Sequence, residues 1–585
     1  MSARLDRPAQ VAVLAGVSAS FVAAATLVGS IRPALLLDGD PSWALARFLL
    51  TLLVVAASAA SGGAAAALVL SAGRSPVVGR DLEPLELPAW ALAVTAALAL
   101  LLGACVRFAG LERLPFPLWH DEVLVLPQAL ALEGRPRDFR DAVRTISDDG
   151  GNPSGTVGVL YLEAFRAVLS AFGTTVFGVR FLSAFAGVLS LATAMLLGRA
   201  LLPRGGGMLA GLALAGLRWH LILSRWAWVL IFVVPILDVA TLLALRARRR
   251  VSAAAAAGAG VVAGIGTHVY LSAWVAAPSL ILLLLWPAEN RRRRLLPALC
   301  FAASFAAAAL PLFLLREGRR ASYLVRASNH NVAVEMRRTR SALPLVRAAR
   351  TALLAPWWLP DPNPGNDLPG RRRLPLPLTA ALALSLLRAG VRPREDLSAL
   401  LLAHAAMAFL ASLAWGERLS PNGSRFAYLT TVTAVAVAAG LLWLVGLLPG
   451  RLRRAGALLA VGGLLVSGAH AAGDLLLWDR ERPMYVGLVG QHTSVGWAAA
   501  RWERYGEVRL EPSPLYGLPT VETIRRHRIL PRREAAAAPP RGSRERVFRI
   551  CPPGTSPGAG ERAVERVRDG WGKEWAVIYG RANGP

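Results

Sequence analysis

Runs of about twenty apolar residues recur along this chain and constrain its fold more than any other feature, because a helix of that length crosses the roughly 30 Å hydrocarbon core of a bilayer. Hydrophobic residues make up 55% of the 585 positions and charged residues only 17%, whereas a soluble domain is nearer a quarter charged. The sequence therefore predicts an all-α polytopic membrane protein. Clear examples of such runs are Val11–Ile31, Arg47–Ala72, Pro88–Val106 and Phe426–Leu448.

A net charge of +28 is also found in nucleic-acid-binding proteins. Here the arginines lie between the apolar runs, where membrane topology places them, and we therefore exclude nucleic acid as a partner. The three cysteines, Cys105, Cys300 and Cys551, are too few and too scattered for a disulfide framework or a zinc site. The first apolar run is expected to be a retained anchor, since no small-residue cleavage site follows it.

Short basic loops predict the side of the membrane on which each loop lies, because positive residues that flank membrane helices stay in the cytoplasm. Placing the N-terminus and six such clusters inside gives about thirteen spans and leaves residues 473–585 outside. The clusters are Arg74–Arg80, Arg199–Arg204, Arg246–Arg250, Arg291–Arg294, Arg388–Arg394 and Arg451–Arg454. Three spans precede Leu111, and the others are expected near 176–200, 207–223, 228–246, 253–270, 273–288, 295–315, 375–390, 396–415, 426–448 and 455–472.

The apolar segment Thr156–Phe172 is predicted not to cross the membrane. It carries Glu163 and Arg166 in its middle, and counting it as a span would place Arg246–Arg250 outside. We instead predict an amphipathic helix at the membrane interface.

Two predicted outer loops, 111–175 and 316–374, are long, and long loops with placed charges usually carry function. The first contains the tetrapeptide Trp-His-Asp-Glu at Trp119–Glu122 and later the polar stretch Asp148–Pro153. The second is rich in arginine and ends in the stretch Pro360–Gly370. Its positive charge departs from the inside rule, which long loops obey poorly.

Residues 473–585 are predicted to form a small C-terminal α/β extracytoplasmic domain, which follows a central membrane domain (88–472) and extra N-terminal membrane helices (1–87). Gly506 is suited to end the first helix of this domain. Its helices are expected at Thr493–Tyr505 and Pro519–Arg528, its strands at Glu507–Leu510, Arg546–Ile550 and Glu574–Tyr579, and a linker at Ala535–Gly542.

An Asp-Glu pair just after a membrane span, Asp121-Glu122, begins a series of motifs that resembles the GT-C fold membrane glycosyltransferases. The closest resemblance is to the bacterial relatives of protein O-mannosyltransferases and of the lipid A aminoarabinose transferase. It covers roughly residues 88–450, and the order of the motifs on the predicted outer face carries it. The further motifs are Gly178–Ala184 (GVRFLSA), Leu223–Ala227 (LSRWA), Gly266–Ser272 (GTHVYLS), Asn366–Gly370 (NDLPG) and Ser424–Phe426 (SRF).

The resemblance implies a GT-C-like catalytic domain that takes a sugar from a polyprenyl-phosphate-linked donor. It also implies contact with membrane lipids, and an active site on the extracytoplasmic face of the inner (plasma) membrane. The sugar is left open, and the acceptor can be a protein, a lipid or a glycan.

Sugar transfer with inversion is one in-line displacement at the anomeric carbon. It needs a base for the acceptor hydroxyl and stabilisation of the departing phosphate, but not the two-carboxylate arrangement of a glycosidase. Asp121 and Glu122 are adjacent, so their side chains point in different directions and we expect different roles. Asp121 is assigned as the base, and Glu122 as the residue that orients an acceptor or holds a divalent metal ion. The alternative is an acid pair in a solvated loop.

Arg225 and Arg425 are predicted to bind the donor phosphate, because an arginine near lipid depth is costly and tends to mark a functional site or an anion. The alternative for each is an arginine that extends to the lipid headgroups. His268 and Tyr270 are further candidates for substrate binding. Their alternatives are a structural histidine and a tyrosine of the interfacial belt.

Two other classes of protein stay open. A transporter or lipid flippase would favour paired charges within the membrane, broken helices and internal repeats. The sequence offers only the isolated acids Asp238 and Asp474 and no clear repeat. A non-catalytic envelope assembly protein would not need acids in its first outer loop.

Overall fold

The computed structural model describes residues 82–581, apart from 114–117, 119, 131–158, 271, 287–290, 315–331, 355–356, 360–366, 369–370, 415–422, 482–486, 512–517, 532–546 and 569–573. Two of the predicted spans, Val11–Ile31 and Arg47–Ala72, lie outside the described residues. So do the Asp148–Pro153 stretch of the first loop and the linker Ala535–Gly542 of the C-terminal domain.

The described part of the membrane domain is helical, as predicted. Six helices are long and apolar enough to cross a bilayer alone, and a bent pair makes a seventh. The remaining predicted spans between residues 88 and 472 coincide with four shorter apolar helices. The long helices are α1 (Ala89–Phe108), α4 (Val176–Leu201), α7 (Leu230–Arg250), α10 (Arg291–Leu314), α15 (Thr430–Gly446) with the preceding 3-10 helix η1 (Gly423–Leu429), and α16 (Gly450–Glu481). The bent pair is α5 (Gly206–Ala215) with α6 (Arg218–Arg225), and the shorter apolar helices are α8 (Ala253–Thr267), α9 (Ser272–Leu285), α13 (Leu376–Val391) and α14 (Asp396–Ala414).

Three local signals fix where some of these helices begin. Thr175 caps α4, because its hydroxyl accepts a hydrogen bond from the amide of Gly178 at 3.1 Å. Ser252 caps α8 in the same way through the amide of Ala255. Pro375 precedes α13, where its missing amide hydrogen costs nothing.

The predicted span at 207–223 is not one straight helix but two helices bent by 61°. The bend lies at Gly216, whose backbone packs against Gly468 of α16. A Cβ atom added at Gly216 would lie only 3.0 Å from the Gly468 nitrogen, so any larger residue would press on the backbone of α16.

The loops of the membrane domain meet in two groups at opposite ends of the helices. At one end, the Arg248 end, the guanidinium groups of Arg248 and Arg249 bind the two oxygens of Asp396 at 2.8 and 2.6 Å. At the other end, the Glu122 end, the amide of Ala227 donates to Glu122 just before α7 begins. Arg249 also donates to the carbonyl of Ala200 at 2.6 Å, so three of the loops predicted to share the inner side meet at the Arg248 end. The chain is a multi-pass membrane protein.

The segment predicted to be an amphipathic helix contains α3 (Val159–Phe172). One face of α3 is fully buried, with Tyr161 and Phe165 stacked at 5.8 Å between ring centroids. It packs against α4 and against α2 (His120–Leu130), the helix that contains Asp121 and Glu122. α3 therefore supports the Glu122 end.

The C-terminal domain is a small α/β unit, as predicted. Helix α17 (Gly487–Trp502) covers one face of a four-stranded sheet. Trp502, Phe548 and Ile578 are in its core. Cys551 is buried on the other face, and desolvation raises the pKa of its thiol to about 12. The elements after α17 are β1 (Glu507–Leu510), α18 (Leu518–Arg526), β2 (Val547–Cys551), β3 (Glu561–Arg568) and β4 (Glu574–Arg581). The strands lie in the order β1-β2-β4-β3, in which β1 and β2 are parallel and the other pairs antiparallel.

Candidate functional site

Helix α2 carries the Asp-Glu pair, and Glu122 fixes its position. The Glu122 carboxylate is buried and receives two hydrogen bonds from the Arg180 guanidinium, Nε to Oε1 at 2.9 Å and Nη2 to Oε2 at 3.1 Å. The amide of Ala227 donates to the same Oε1 at 2.9 Å. These contacts join α2 to α4 and to the turn that precedes α7. They hold Glu122 in a fixed place between these elements, and its predicted roles toward an acceptor or a metal ion stay predictions.

The C-terminal domain holds the other side of the Asp-Glu pair. The buried Thr493 hydroxyl lies against both backbone groups of Leu118, 3.1 Å from its nitrogen and 3.4 Å from its oxygen. Asp121 therefore lies between two fixed points, three residues after Leu118 and one before Glu122. The side chain of Asp121 lies outside the described part of the chain. The backbone of Asp121 lies in the first turn of α2.

Three further contacts attach the C-terminal domain to the Glu122 end. The hydroxyl of Thr174 donates to the carbonyl of His527 at 2.8 Å, and the amide of Val176 donates to that of Leu530 at 3.3 Å. Ile524 of α18 is buried in the hydrophobic core of the membrane domain. The domain is thus bound to the start of α4, which carries Arg180.

Arg225 is buried at the Glu122 end, where its guanidinium donates to the carbonyls of Val106 and Ala109 at the end of α1. The neighbouring Arg107 is also fully buried, and its Nη2 lies 2.8 Å from Nδ1 of His220. Because the arginine can only donate, this nitrogen of His220 is the acceptor. Gly187 of α4 makes room for this cluster, since an added Cβ would lie 3.0 Å from Arg107 Nε.

His268 and Tyr270 lie just after α8 and do not reach Glu122 through the contacts described. His268 is buried, and its Nε2 lies 2.7 Å from the carbonyl of Ala308 on α10. A carbonyl only accepts, so Nε2 carries the hydrogen. Tyr270 is half-buried against the membrane core. Arg425 lies in η1, and its side chain is outside the described residues.

A network centred on Arg218 was missed by the sequence analysis. Arg218 binds Asp367 through Nε and Nη2 at 2.7 and 3.3 Å, and Asp474 through Nη1 at 2.7 Å. All three side chains are buried, and Arg371 adds a second cation 3.5 Å from Asp474. The network joins α6, the end of the second outer loop and α16. The sequence does carry one signal for this network. Asp474 is an acid within an apolar helix, and such acids usually pair with a cation.

Asp238, the other acid within a span, joins three helices. It accepts hydrogen bonds from Thr193 of α4 at 2.5 Å and from Thr431 of α15 at 2.9 Å. Polar contacts of this kind hold membrane helices together. Within the described ranges, no three side chains of His, Cys, Asp or Glu come together as ligands of a metal ion would.

Known proteins offer little sequence similarity to this chain. No family model matches it, and no curated protein matches it significantly. Among solved structures, it is similar to ArnT from Cupriavidus metallidurans, bound to undecaprenyl phosphate and in the apo state, each with 15% identity, a TM-score of 0.47, and coverage of 84% of this chain and 99% of that one. It is also similar to the Archaeoglobus fulgidus oligosaccharyltransferase tethered with an acceptor peptide, with 13% identity, a TM-score of 0.43, and coverage of 76% and 64%.

Proposed function

We propose that this chain is a GT-C-type membrane glycosyltransferase. It moves a sugar from a polyprenyl-phosphate donor to an envelope acceptor by an inverting displacement, on the extracytoplasmic face. The observation that carries the proposal is the fixed backbone around Asp121. Leu118 on one side and Glu122 on the other are held by two separate domains at the end of the membrane helices.

The chemistry follows from this position. The acceptor hydroxyl gives its proton to Asp121, its oxygen bonds to the anomeric carbon, and the bond to the phosphate oxygen breaks. A base whose backbone is held in place at the end of the membrane helices needs little reorganisation during the reaction. Glu122 holds α2 through Arg180, and on this proposal the two adjacent acids therefore have different roles.

A transfer assay tests this function. Purified protein in lipid, given a radiolabelled polyprenyl-phosphate sugar and an envelope extract, should move label to the extract and release polyprenyl phosphate. A flippase would move the donor across the bilayer and leave it intact. Two features that a flippase favours are present, the bent pair α5–α6 and the buried Arg218–Asp474 pair. An assembly protein would do neither.

We predict that Arg425 rather than Arg225 contacts the donor phosphate. A guanidinium offers bidentate hydrogen bonds that a lysine cannot reproduce, so Arg425→Lys should lose most transfer while protein abundance stays normal. Arg225→Lys is the matched comparison. Since Arg225 binds the carbonyls of Val106 and Ala109, its replacement should lower the melting temperature. Normal transfer by both variants would place phosphate recognition elsewhere.

The proposed orientation predicts which residues an impermeant thiol reagent reaches in intact cells. In a background without native cysteines, Ala342→Cys and Ala563→Cys should be labelled, because both positions are exposed on the predicted outer side. Arg292→Cys, exposed beyond the Arg248 end, should be labelled only after the membrane is permeabilised. Arg248 is unsuitable for this test because its side chain is buried against Asp396. Labelling of Arg292→Cys in intact cells would reverse the orientation.

A further inference from the structure

The second outer loop contains two short helices that the proposed reaction does not use. They are α11 (Val332–Thr339) and α12 (Leu343–Leu354), and they pack against each other. The chain turns between them at Arg340, and the amide of Leu343 donates to the Ser341 hydroxyl at 3.1 Å. α12 also packs along the membrane helix α14, with Ala348 fully buried.

The other side of α12 is apolar and uncovered. Val346 is 62% exposed and Leu353 57% exposed, and they lie on the same face of the helix, seven residues apart. On α14, Leu410 is 53% exposed as well, as expected for a side chain that faces lipid. α12 therefore lies beside a membrane helix with an exposed leucine, and its own exposed apolar face is turned away from that helix.

Positive charge borders this apolar face. Residues 332–354 contain five arginines and one glutamate, and every one of the arginines is exposed. On α12, Arg350 lies on the same face as Val346 and Leu353, four residues after the first and three before the second, and Arg347 lies at the edge of that face. A helix with an apolar face bordered by arginines is typical of an anionic membrane surface.

Two tryptophans follow α12 and support the same placement. Trp357 donates through Nε1 to the carbonyl of Leu353 at 2.6 Å, and the Arg372 guanidinium lies 4.2 Å from the ring centre of Trp358. Tryptophan is enriched at the boundary between hydrocarbon and headgroups. From these observations we propose that α11 and α12 lie on the bilayer surface, with Val346 and Leu353 among the acyl chains and the arginines bound to the phosphates of anionic phospholipids.

Lipid quenching tests this proposal without any transfer assay. The full chain, free of native cysteines, would carry an environment-sensitive fluorophore at Val346→Cys or Leu353→Cys, in nanodiscs containing brominated phosphatidylcholine or brominated phosphatidylglycerol. Both labels should be quenched, and more strongly by phosphatidylglycerol. The same label at Ala563→Cys, exposed on the C-terminal sheet, is the control and should not be quenched.

The double variant Arg347→Gln, Arg350→Gln should lose the excess quenching by phosphatidylglycerol and keep the quenching by phosphatidylcholine. A Val346 label quenched no more than the Ala563 label would overturn the proposal. Equal quenching of the parent chain by the two lipids would overturn its arginine–phosphate part. Added polyprenyl phosphate should change nothing, and its displacement of phosphatidylglycerol would assign the arginines to the donor instead.

Discussion

Arg180→Leu is expected to destabilise the protein by roughly 3–5 kcal/mol, the usual cost of leaving one partner of a buried ion pair without the other. Arg180 and Glu122 each have 1% of the side chain exposed, so water cannot replace the lost guanidinium. The variant also removes the hydrogen bond from Arg180 to the carbonyl of Leu111 at 3.1 Å. The melting temperature of the purified protein would measure the loss.

A second variant separates the buried charge from other effects of the substitution. Arg180→Leu with Glu122→Gln removes both charges and keeps an oxygen for the amide of Ala227, so it should be more stable than Arg180→Leu alone. Arg566→Leu is the matched surface control. Its pair with Glu574 is 63% and 23% exposed, and exposed pairs contribute no more than about 1 kcal/mol. If the double variant is no more stable than Arg180→Leu, the ion pair is not what holds α2.

The membrane helices could be predicted from the sequence because each apolar run carries its own signal. The bend between α5 and α6 could not, since the backbone that packs against it at Gly216 belongs to Gly468, more than 250 residues away. Strand β3 was missed for a different reason. Its sequence, Glu561–Arg568, is rich in charge because it lies at the edge of the sheet, where charged side chains discourage pairing with other chains.

The candidate site also has a part that the sequence predicts and a part that only the fold shows. The Asp121-Glu122 pair was found from its place just after a span, which is local information. The partner of Glu122 is 58 residues away and that of Leu118 is 375 residues away, and neither spacing has a sequence signal. Arg180 was recognised only as part of a motif. Its ion pair with Glu122 forms only because the fold brings the start of α2 next to the start of α4.

Asp121→Asn is expected to lower sugar transfer by roughly 10²–10⁴-fold, the usual contribution of a general base. The amide keeps the size of the side chain and cannot take up the acceptor proton. The melting temperature should stay near that of the parent chain, because the contacts that fix α2 are made by Leu118, Glu122 and Arg180. Binding of the donor should also persist, since the predicted phosphate contacts are on other residues.

Glu122→Gln is the matched variant, and the two substitutions should reduce transfer for different reasons. The neutral glutamine pairs less well with Arg180, so we expect a lower melting temperature. Transfer should fall only in proportion to the loss of folded protein. If Glu122 instead holds a metal ion, added divalent ion should restore part of its transfer. Turnover by purified protein in lipid, corrected for the folded fraction, would measure both variants. Near-normal turnover in Asp121→Asn would exclude Asp121 as the base, and Asp148 and Asp149 would then be the acids to test.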